Sequence, residues 1–370
     1  MNMPKLAVLA DPHSTHTLKW IRSLSAHGYE ILLIGISEKS TSNYDSLKNV
    51  HFECIIVKKS RKKWKLDFFK ITNLTHFFRI RKRIKSFKPD VLHSFYASSY
   101  GLIGALCGIK PFVISVWGSD VFEFPNKSLL HKSILKYSLS KANKICATGE
   151  VLKKESQRYT SKKIEVISFG INTDLFKPLV NSNRSSFTIG TVKHFKSIYG
   201  IEILIKAIAQ LKNNNIITKF NLLLVGDGPE KDKYVSLATE LGILEHITFS
   251  GFIENNKLPK FYNQMDVVVI PSLRESFGIS VLEGMSCEIP VIASDINGFK
   301  EVGSENTINY FEPGNPSDLA SKIKTYIENP MVFKKKVKKA RKRVIDCFSE
   351  QACVEKKLSL YQQLLDRQKK

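Results

Sequence analysis

Two glutamates eight residues apart, Glu275 and Glu283, offer the most informative chemistry in this sequence. They lie in the stretch Asp266 to Cys287, DVVVIPSLRESFGISVLEGMSC. A strand-sized apolar run ends at Pro271, a polar loop follows, and a helix is predicted to begin near Gly278. Glu275 then sits in the loop and Glu283 on the helix. Ionised glutamates only accept hydrogen bonds, which suits them to sugar hydroxyls, and this spacing lets them hold two parts of an extended ligand. The backbone amides of Phe277, Gly278 and Ile279 would point out of the helix N-terminus, where an anionic oxygen is favoured, and Gly278 allows close approach. The pattern alone fits a solvated loop acid and a helix-surface acid equally well. A glycosidase pair, facing each other across one sugar at about 5 to 10 Å, is not favoured by a loop-plus-helix arrangement.

Other signals are weaker. Gly226 and Gly228 in VGDGPE follow a predicted strand, where two glycines serve either a ligand-cradling turn or plain turn chemistry. No Asp-x-Asp occurs, so the usual carboxylate bridge for Mg²⁺ or Mn²⁺ on a diphosphate is missing and no metal is expected. The six cysteines, Cys54, Cys107, Cys146, Cys287, Cys347 and Cys353, are scattered without Cys-x-x-Cys pairs, as reduced cytosolic thiols would be.

The elements that must position these residues alternate along the whole chain. At 370 residues with 43% hydrophobic content, two cores are expected. Strands are predicted over Leu6 to Leu9, Glu30 to Ile36, Val91 to His93, Phe112 to Val116, Ile145 to Ala147 and Ile164 to Ile167. Helical periodicity covers Leu18 to Leu24 and Ser99 to Leu106. A turn-rich stretch, Lys177 to Ser186, interrupts the alternation. Strands then restart at Phe187 to Val192, Phe220 to Val225, Ile247 to Ser250, Val267 to Ile270 and Val291 to Ala293, with helices at Ile201 to Leu211 and Lys231 to Leu241. The final segment, Glu350 to Gln368, reads as a helix. This is an α/β pattern of parallel sheets flanked by helices. The expected division is a Rossmann-like domain over 1–178, a linker over 179–186, a second such domain over 187–348, and a C-terminal helix over 349–370 that packs back on the first domain. Ligands are expected at the carboxyl ends of the strands.

Charge adds a separate constraint. The formal net charge is +23. Thirteen lysines and arginines fall between Lys58 and Lys88 against one acid, Asp67, with Trp64, Phe68, Phe69, Phe77, Phe78 and Phe87 interleaved. Such a stretch suits an anionic membrane surface. It equally suits a solvated basic face whose phenylalanines pack inward. Lys334 to Arg343 extends the same alternatives onto a predicted helix. No helix-turn-helix, RRM or zinc signature supports nucleic acid as a partner. No apolar run reaches the roughly 20 residues that span a bilayer, and the N-terminal run meets Asp11 before it reaches signal-peptide length. A cytoplasmic protein, peripheral on the inner face of the membrane, is the expected location.

The segment ESFGISVLE resembles the E-x7-E motif of family 4 of the retaining glycosyltransferases, also described as glycosyl transferases group 1. ISFGINTDLFKP, LLLVGDGPE, GFIENNKLPKFYNQMDVVVIPS and MSCEIPVIASDINGFKEV resemble successive landmarks of that family's donor domain, and PDVLHSFYASSYG and SVWGSDVFEFP resemble its first domain. The resemblance covers most of the chain and is weakest in the basic stretch and the C-terminal tail. It implies a GT-B fold, two Rossmann-like domains facing across a cleft, and metal-independent, retaining transfer of a sugar from a nucleotide-sugar donor. The basic aromatic stretch, able to hold the chain at an anionic membrane, points to a cell-surface glycan or lipid-linked oligosaccharide as the acceptor. By resemblance, Glu275 contacts the transferred sugar, the amides of Phe277 to Ile279 meet sugar hydroxyls or phosphate, and Glu283 binds the ribose. Lys193 occupies the first position of a basic pair that neutralises the leaving diphosphate. At the second, just ahead of Gly200, this chain has Ile198 and Tyr199 where the family has a lysine, and Lys196 is the substitute expected to reach over from the loop. Asp120 in WGSD corresponds to an acidic position beside the acceptor, with Trp117 where a histidine is frequent. His16 and His93 are acceptor-side candidates, though Phe95 replaces a second histidine beside His93. Asn172 likewise replaces a frequent aspartate. Two other classes remain: a different GT-B enzyme, such as a nucleotide-sugar epimerase or phosphorylase, and a basic adaptor that binds membrane without turnover.

Overall fold

The computed structural model describes residues 3–57, 76–179 and 186–368, and within these the chain forms two compact units. The first unit comprises Met1–Phe169 and Cys353–Lys370. Its seven strands are β1 (Lys5–Leu9), β2 (Glu30–Ser37), β3 (Val50–Ile56), β4 (Val91–Phe95), β5 (Phe112–Val116), β6 (Lys144–Ala147) and β7 (Ile164–Val166). All pair in parallel in the order β3-β2-β1-β4-β5-β6-β7. Parallel strands need crossovers, so every carboxyl end lies on one edge of the sheet. Chain order reverses between β1 and β4, the place where open sheets of this kind leave a crevice.

The second unit, Gly170–Ala352, contains β8 (Phe187–Val192), β9 (Phe220–Val225), β10 (Ile247–Gly251), β11 (Val267–Ile270), β12 (Val291–Ser294) and β13 (Asn309–Phe311). These also run parallel, in the order β10-β9-β8-β11-β12-β13. The run Val267 to Ile270 shows why it is a strand buried on both faces. Val267 and Val269 enter one core with Leu204, Ile208 and Leu222, while Val268 and Ile270 enter the other with Val281, Leu282 and Met285. Successive side chains point to opposite faces, and helices cover both.

The division differs from the sequence expectation at both boundaries, and the second unit runs to Ala352 where 348 is expected. The units meet at Phe169 and Gly170, before the expected boundary at 178. The reason is local bonding within the second unit: Ile171 N–H donates to Phe348 O at 2.7 Å, Glu350 N–H to Ile171 O at 2.8 Å, and Ser286 Oγ to Phe176 O at 2.5 Å. Of the expected linker, residues 180–185 lie outside the described residues, as do residues 58–75 of the basic stretch with Trp64, Phe68 and Phe69. The remainder of that stretch forms the helix Phe77–Phe87, which buries Ile80, Ile84 and Phe87 and leaves Phe78 78% exposed. Among the described residues, no helix is long and apolar enough to cross a membrane.

The C-terminal helix Glu350–Gln368 carries a buried lysine into the first unit. Lys357 is 2% exposed; its Nζ donates to Ser115 Oγ at 3.2 Å and lies 4.9 Å from the centroid of the Trp20 ring. Burial lowers its pKa from the ordinary 10.5. The unfolded chain therefore keeps this proton to higher pH than the folded one, and the lysine's contribution to stability improves as pH rises toward 10.5. Lys357→Met is expected to raise the unfolding free energy by about 1 to 3 kcal/mol at pH 7, with the gain over wild type shrinking toward pH 10. Urea titrations at several pH values measure this; a less stable variant at pH 7 would show that the lysine's contacts outweigh its desolvation.

Candidate active site

Parallel pairing of β8 with β11 brings the ends of these two strands together. The residue after β8 is Lys193, and the loop after β11 carries Glu275. Lys193 Nζ pairs with Glu275 Oε1, with side chains 9% and 15% exposed. Ser272 Oγ also donates to Glu275 Oε1 at 3.3 Å, and Lys193 Nζ lies 5.1 Å from the centroid of the Tyr199 ring. The Lys193 ammonium is thus in contact with both a carboxylate and an aromatic ring.

The pair lines a cavity of about 490 Å³ whose walls also include His194, Gly226, Asp227, Ile253 and Glu283. Such a volume is within the range of small-molecule sites. Glu283, on the helix Ile279–Ser286, is 5% exposed, accepting a 2.7 Å bond from Tyr262 Oη and a 3.3 Å bond from Asn255 Nδ2. Burial, and then the Glu283 charge, push the Tyr262 phenol well above its ordinary pKa, so it stays a donor to the carboxylate. These bonds fix the orientation of a group that a solvated helix acid would leave mobile. Gly226 follows β9 with φ of 141°, and a Cβ there would stand 1.9 Å from the Lys193 carbonyl oxygen. Only glycine allows this turn to close over the residue that bears the cation.

Of the sequence candidates, Lys193, Gly226, Glu275 and Glu283 therefore meet in one cavity. Lys196 does not join them. Its exposed side chain is not part of the lining, and its backbone serves a turn, with N–H to His194 O and carbonyl from Tyr199 N–H, both at 2.9 Å. Tyr199 stands in the wall instead, at the position where the family lysine was missing. Phe277, Gly278 and Ile279 are not lining residues either. The Phe277 side chain is buried and packs on Phe348, while Gly278 opens the helix by accepting the Leu282 N–H at 3.0 Å. Ser280, which the sequence reading passed over, lines the cavity in the first turn.

The first-unit candidates are rearranged as well. Asp120 is fully buried, and its carboxylate accepts the backbone N–H groups of Ala97 at 2.8 Å, Gly118 at 2.8 Å and Trp117 at 3.1 Å. Burial raises its pKa, with those bonds opposing the rise. It ties two loops together rather than facing a substrate. His93 is also fully buried, bonded through Nδ1 to Tyr361 Oη at 2.6 Å and through Nε2 to Ser115 Oγ at 2.9 Å. Burial, reinforced by the Lys357 charge, holds its pKa well below the usual range, so it is a neutral packing residue. His16 stacks on Phe169 at 3.7 Å between centroids, and burial, then the Lys19 charge, push its pKa down to about 4. Its neighbours His13 and Ser14, not His16 itself, line a cavity in this unit. Among the described residues, no three His, Cys, Asp or Glu side chains are grouped so as to hold a metal ion.

Comparison with known proteins agrees with both units. The family described as Glycosyl transferases group 1 matches residues 173–344, and the one described as Glycosyl transferase 4-like matches residues 5–149. The uncharacterized glycosyltransferase MJ1178 of Methanocaldococcus jannaschii is 28% identical over 329 residues, covering 87% of this chain and 89% of its own. The sucrose-phosphate synthase of Thermosynechococcus elongatus shares the fold, with a TM-score of 0.79 at 21% identity over 98% of this chain and all of that one. So does Anabaena HepE, solved in complex with UDP, with a TM-score of 0.78 at 18% identity over 97% of this chain and all of that one. With a family match in each of the two parallel α/β units, the chain belongs to the group 1 glycosyltransferases and has the GT-B fold.

Proposed function

We propose that this glycosyltransferase takes its sugar from a nucleotide-sugar, bound in the second-unit cavity, and transfers it with retention and without a metal. The observation that carries this reading is the Lys193–Glu275 pair in the cavity wall. Lys193 supplies positive charge where a diphosphate leaving group develops negative charge, the type of stabilisation that acts mainly in the transition state. Glu275 accepts hydroxyls of the transferred sugar, and Glu283, oriented by Tyr262 and Asn255, accepts those of the ribose. In the reaction, the bond from the anomeric carbon to the diphosphate breaks as the acceptor oxygen bonds to the same face. The acceptor proton passes to a departing diphosphate oxygen. HepE, solved with UDP, supports a nucleotide-sugar as the donor class.

The acceptor in this proposal is a cell-surface glycan or lipid-linked oligosaccharide, and the enzyme works at the inner face of the membrane. Support comes from two basic faces. The helix Phe77–Phe87 exposes Phe78, Arg79, Lys82 and Lys85, and the helix Pro330–Arg343 exposes Lys334, Lys335, Lys338, Lys339 and Lys342. Exposed lysines attract anionic headgroups, and an exposed phenylalanine among them enters the apolar boundary. Phe77 and Phe87 pack inward, so only part of the aromatic set is free for this.

Turnover of UDP-, GDP- and ADP-sugars in EDTA, with a membrane lipid extract as acceptor, tests the reaction. Nucleoside diphosphate release is expected to persist in EDTA and to fall by about 100-fold or more in Glu275→Gln and Lys193→Met. Lys196→Met is expected to stay within about twofold of wild type by the same reasoning, because its charge lies outside the cavity. NMR of the product should show the donor's anomeric configuration. Inversion, or loss of turnover in EDTA, would contradict the mechanism. Release equal in Lys193→Met and wild type would contradict the role of the cation.

Sedimentation with anionic vesicles tests the location. The chain is expected to pellet at low salt and to be released as salt rises, with Phe78→Ala weakening binding several-fold. A chain that stays in the supernatant at low salt would refute membrane association.

A further inference from the structure

The cavity that holds Lys193 and Glu275 has a charge balance at odds with a diphosphate ligand. Among the described residues its lining includes three carboxylates, Asp227, Glu275 and Glu283, against one lysine and no arginine. In a chain with 57 basic residues and 34 acidic, this reverses the prevailing sign. His194 also lines the cavity, but its side chain is exposed, where solvent and salt screen any charge it carries.

The one lysine is already engaged. Lys193 pairs with Glu275, the two side chains being 9% and 15% exposed. A pair so withdrawn from water is costly to break, because each member leaves the other as an uncompensated charge. Ser272 Oγ donates to the same carboxylate oxygen at 3.3 Å and helps to hold it in place. Neither residue can retreat with its loop. A Cβ on Gly298 would stand 2.3 Å from the Glu275 carbonyl oxygen, so the helix Asn297–Val302 packs directly on the Glu275 backbone. The Lys193 backbone is covered as closely by Gly226. Whatever enters the cavity therefore meets both charges.

The substrate and the product of transfer differ at this point. In both, the diphosphate draws on Lys193. In a nucleotide-sugar, the hydroxyls of the sugar can donate to Glu275 in place of the ammonium. In the nucleoside diphosphate left after transfer, nothing takes the ammonium's place. Glu275 then either keeps Lys193 and weakens its pull on the phosphates, or loses it and stands uncompensated beside a polyanion. An ammonium has three donors and can be shared, but sharing leaves the repulsion between carboxylate and phosphate in force.

We infer that Glu275 makes the site select the nucleotide-sugar over the nucleoside diphosphate, by competing with the diphosphate for Lys193 unless a sugar satisfies it. The inference rests on the donor reading above and gives this residue a second task. Besides holding the transferred sugar, it weakens the grip on the nucleotide once the sugar has gone, which favours release of the product.

Calorimetric titration of the full-length chain with UDP, GDP and ADP, and with the glucose and N-acetylglucosamine conjugates of each, tests this in wild type, Glu275→Gln and Glu275→Ala. Wild type is expected to bind a conjugate at least about tenfold more tightly than the matching diphosphate. In both variants, where Lys193 has lost its carboxylate, the diphosphate should bind at least about tenfold more tightly than in wild type, and the preference for the conjugate should fall to about threefold or less. A damaged fold would weaken binding, so tightening cannot arise from it, and the wild-type preference needs no variant. Diphosphate bound by wild type as tightly as its conjugates, or bound no more tightly by the variants, would overturn the inference and leave the donor reading standing. Absence of binding by any nucleotide or conjugate, in wild type and variants alike, would overturn both.

Discussion

The ion pair between Lys193 and Glu275 joins residues that are 82 positions apart in sequence, and it exists only because β8 and β11 pair in parallel. Both residues sit just beyond the carboxyl ends of neighbouring strands, so sheet register alone decides whether they meet. Placed at a single edge, Lys193 has a carboxylate on one side and the Tyr199 ring on another. Without the carboxylate, a side chain only 9% exposed would carry an uncompensated charge. The site's cation is therefore stable in the wall of the cavity, where its field is less screened than on the surface.

The same geometry recurs in the first unit with different chemistry. There the loops beyond β1, β2, β4 and β5 surround the second cavity, and the buried residue that organises them is an acid, Asp120, bonded to backbone amides. A carboxylate that accepts three amide bonds positions the chain without presenting its charge to a ligand. Each unit thus separates two tasks. Cores on both faces of the sheets supply rigidity through residues such as Val267 to Ile270 and Leu92, Ile114 and Ile145. The loops at one edge supply the polar groups.

Where sequence and structure part company, the causes are physical. Apolar runs such as Phe112 to Val116 and Val267 to Ile270 were legible to the residue, because burial on both faces leaves few polar interruptions. β3, VHFECII, was missed because its alternation with His51 and Glu53 marks an edge strand with weaker burial. β13 is only three residues long, too short for a periodicity signal. The E-x7-E spacing identified Glu275 and Glu283, but spacing does not distinguish a side chain in a cavity from one in a packed network. His93 and Asp120 belong to such networks, and their partners, Tyr361 and the Ala97 amide, lie far off in sequence or in the backbone. Tyr199 was noticed only as a missing lysine; its ring contact with Lys193 is a matter of three-dimensional placement.

If the second-unit cavity is the nucleotide-sugar site, a crystal structure of the chain with UDP will show the nucleotide there. The diphosphate is expected beside Lys193 and the ribose hydroxyls within hydrogen-bond distance of Glu283. Nucleotide bound elsewhere, or bound in this cavity with its ribose away from Glu283, would contradict it.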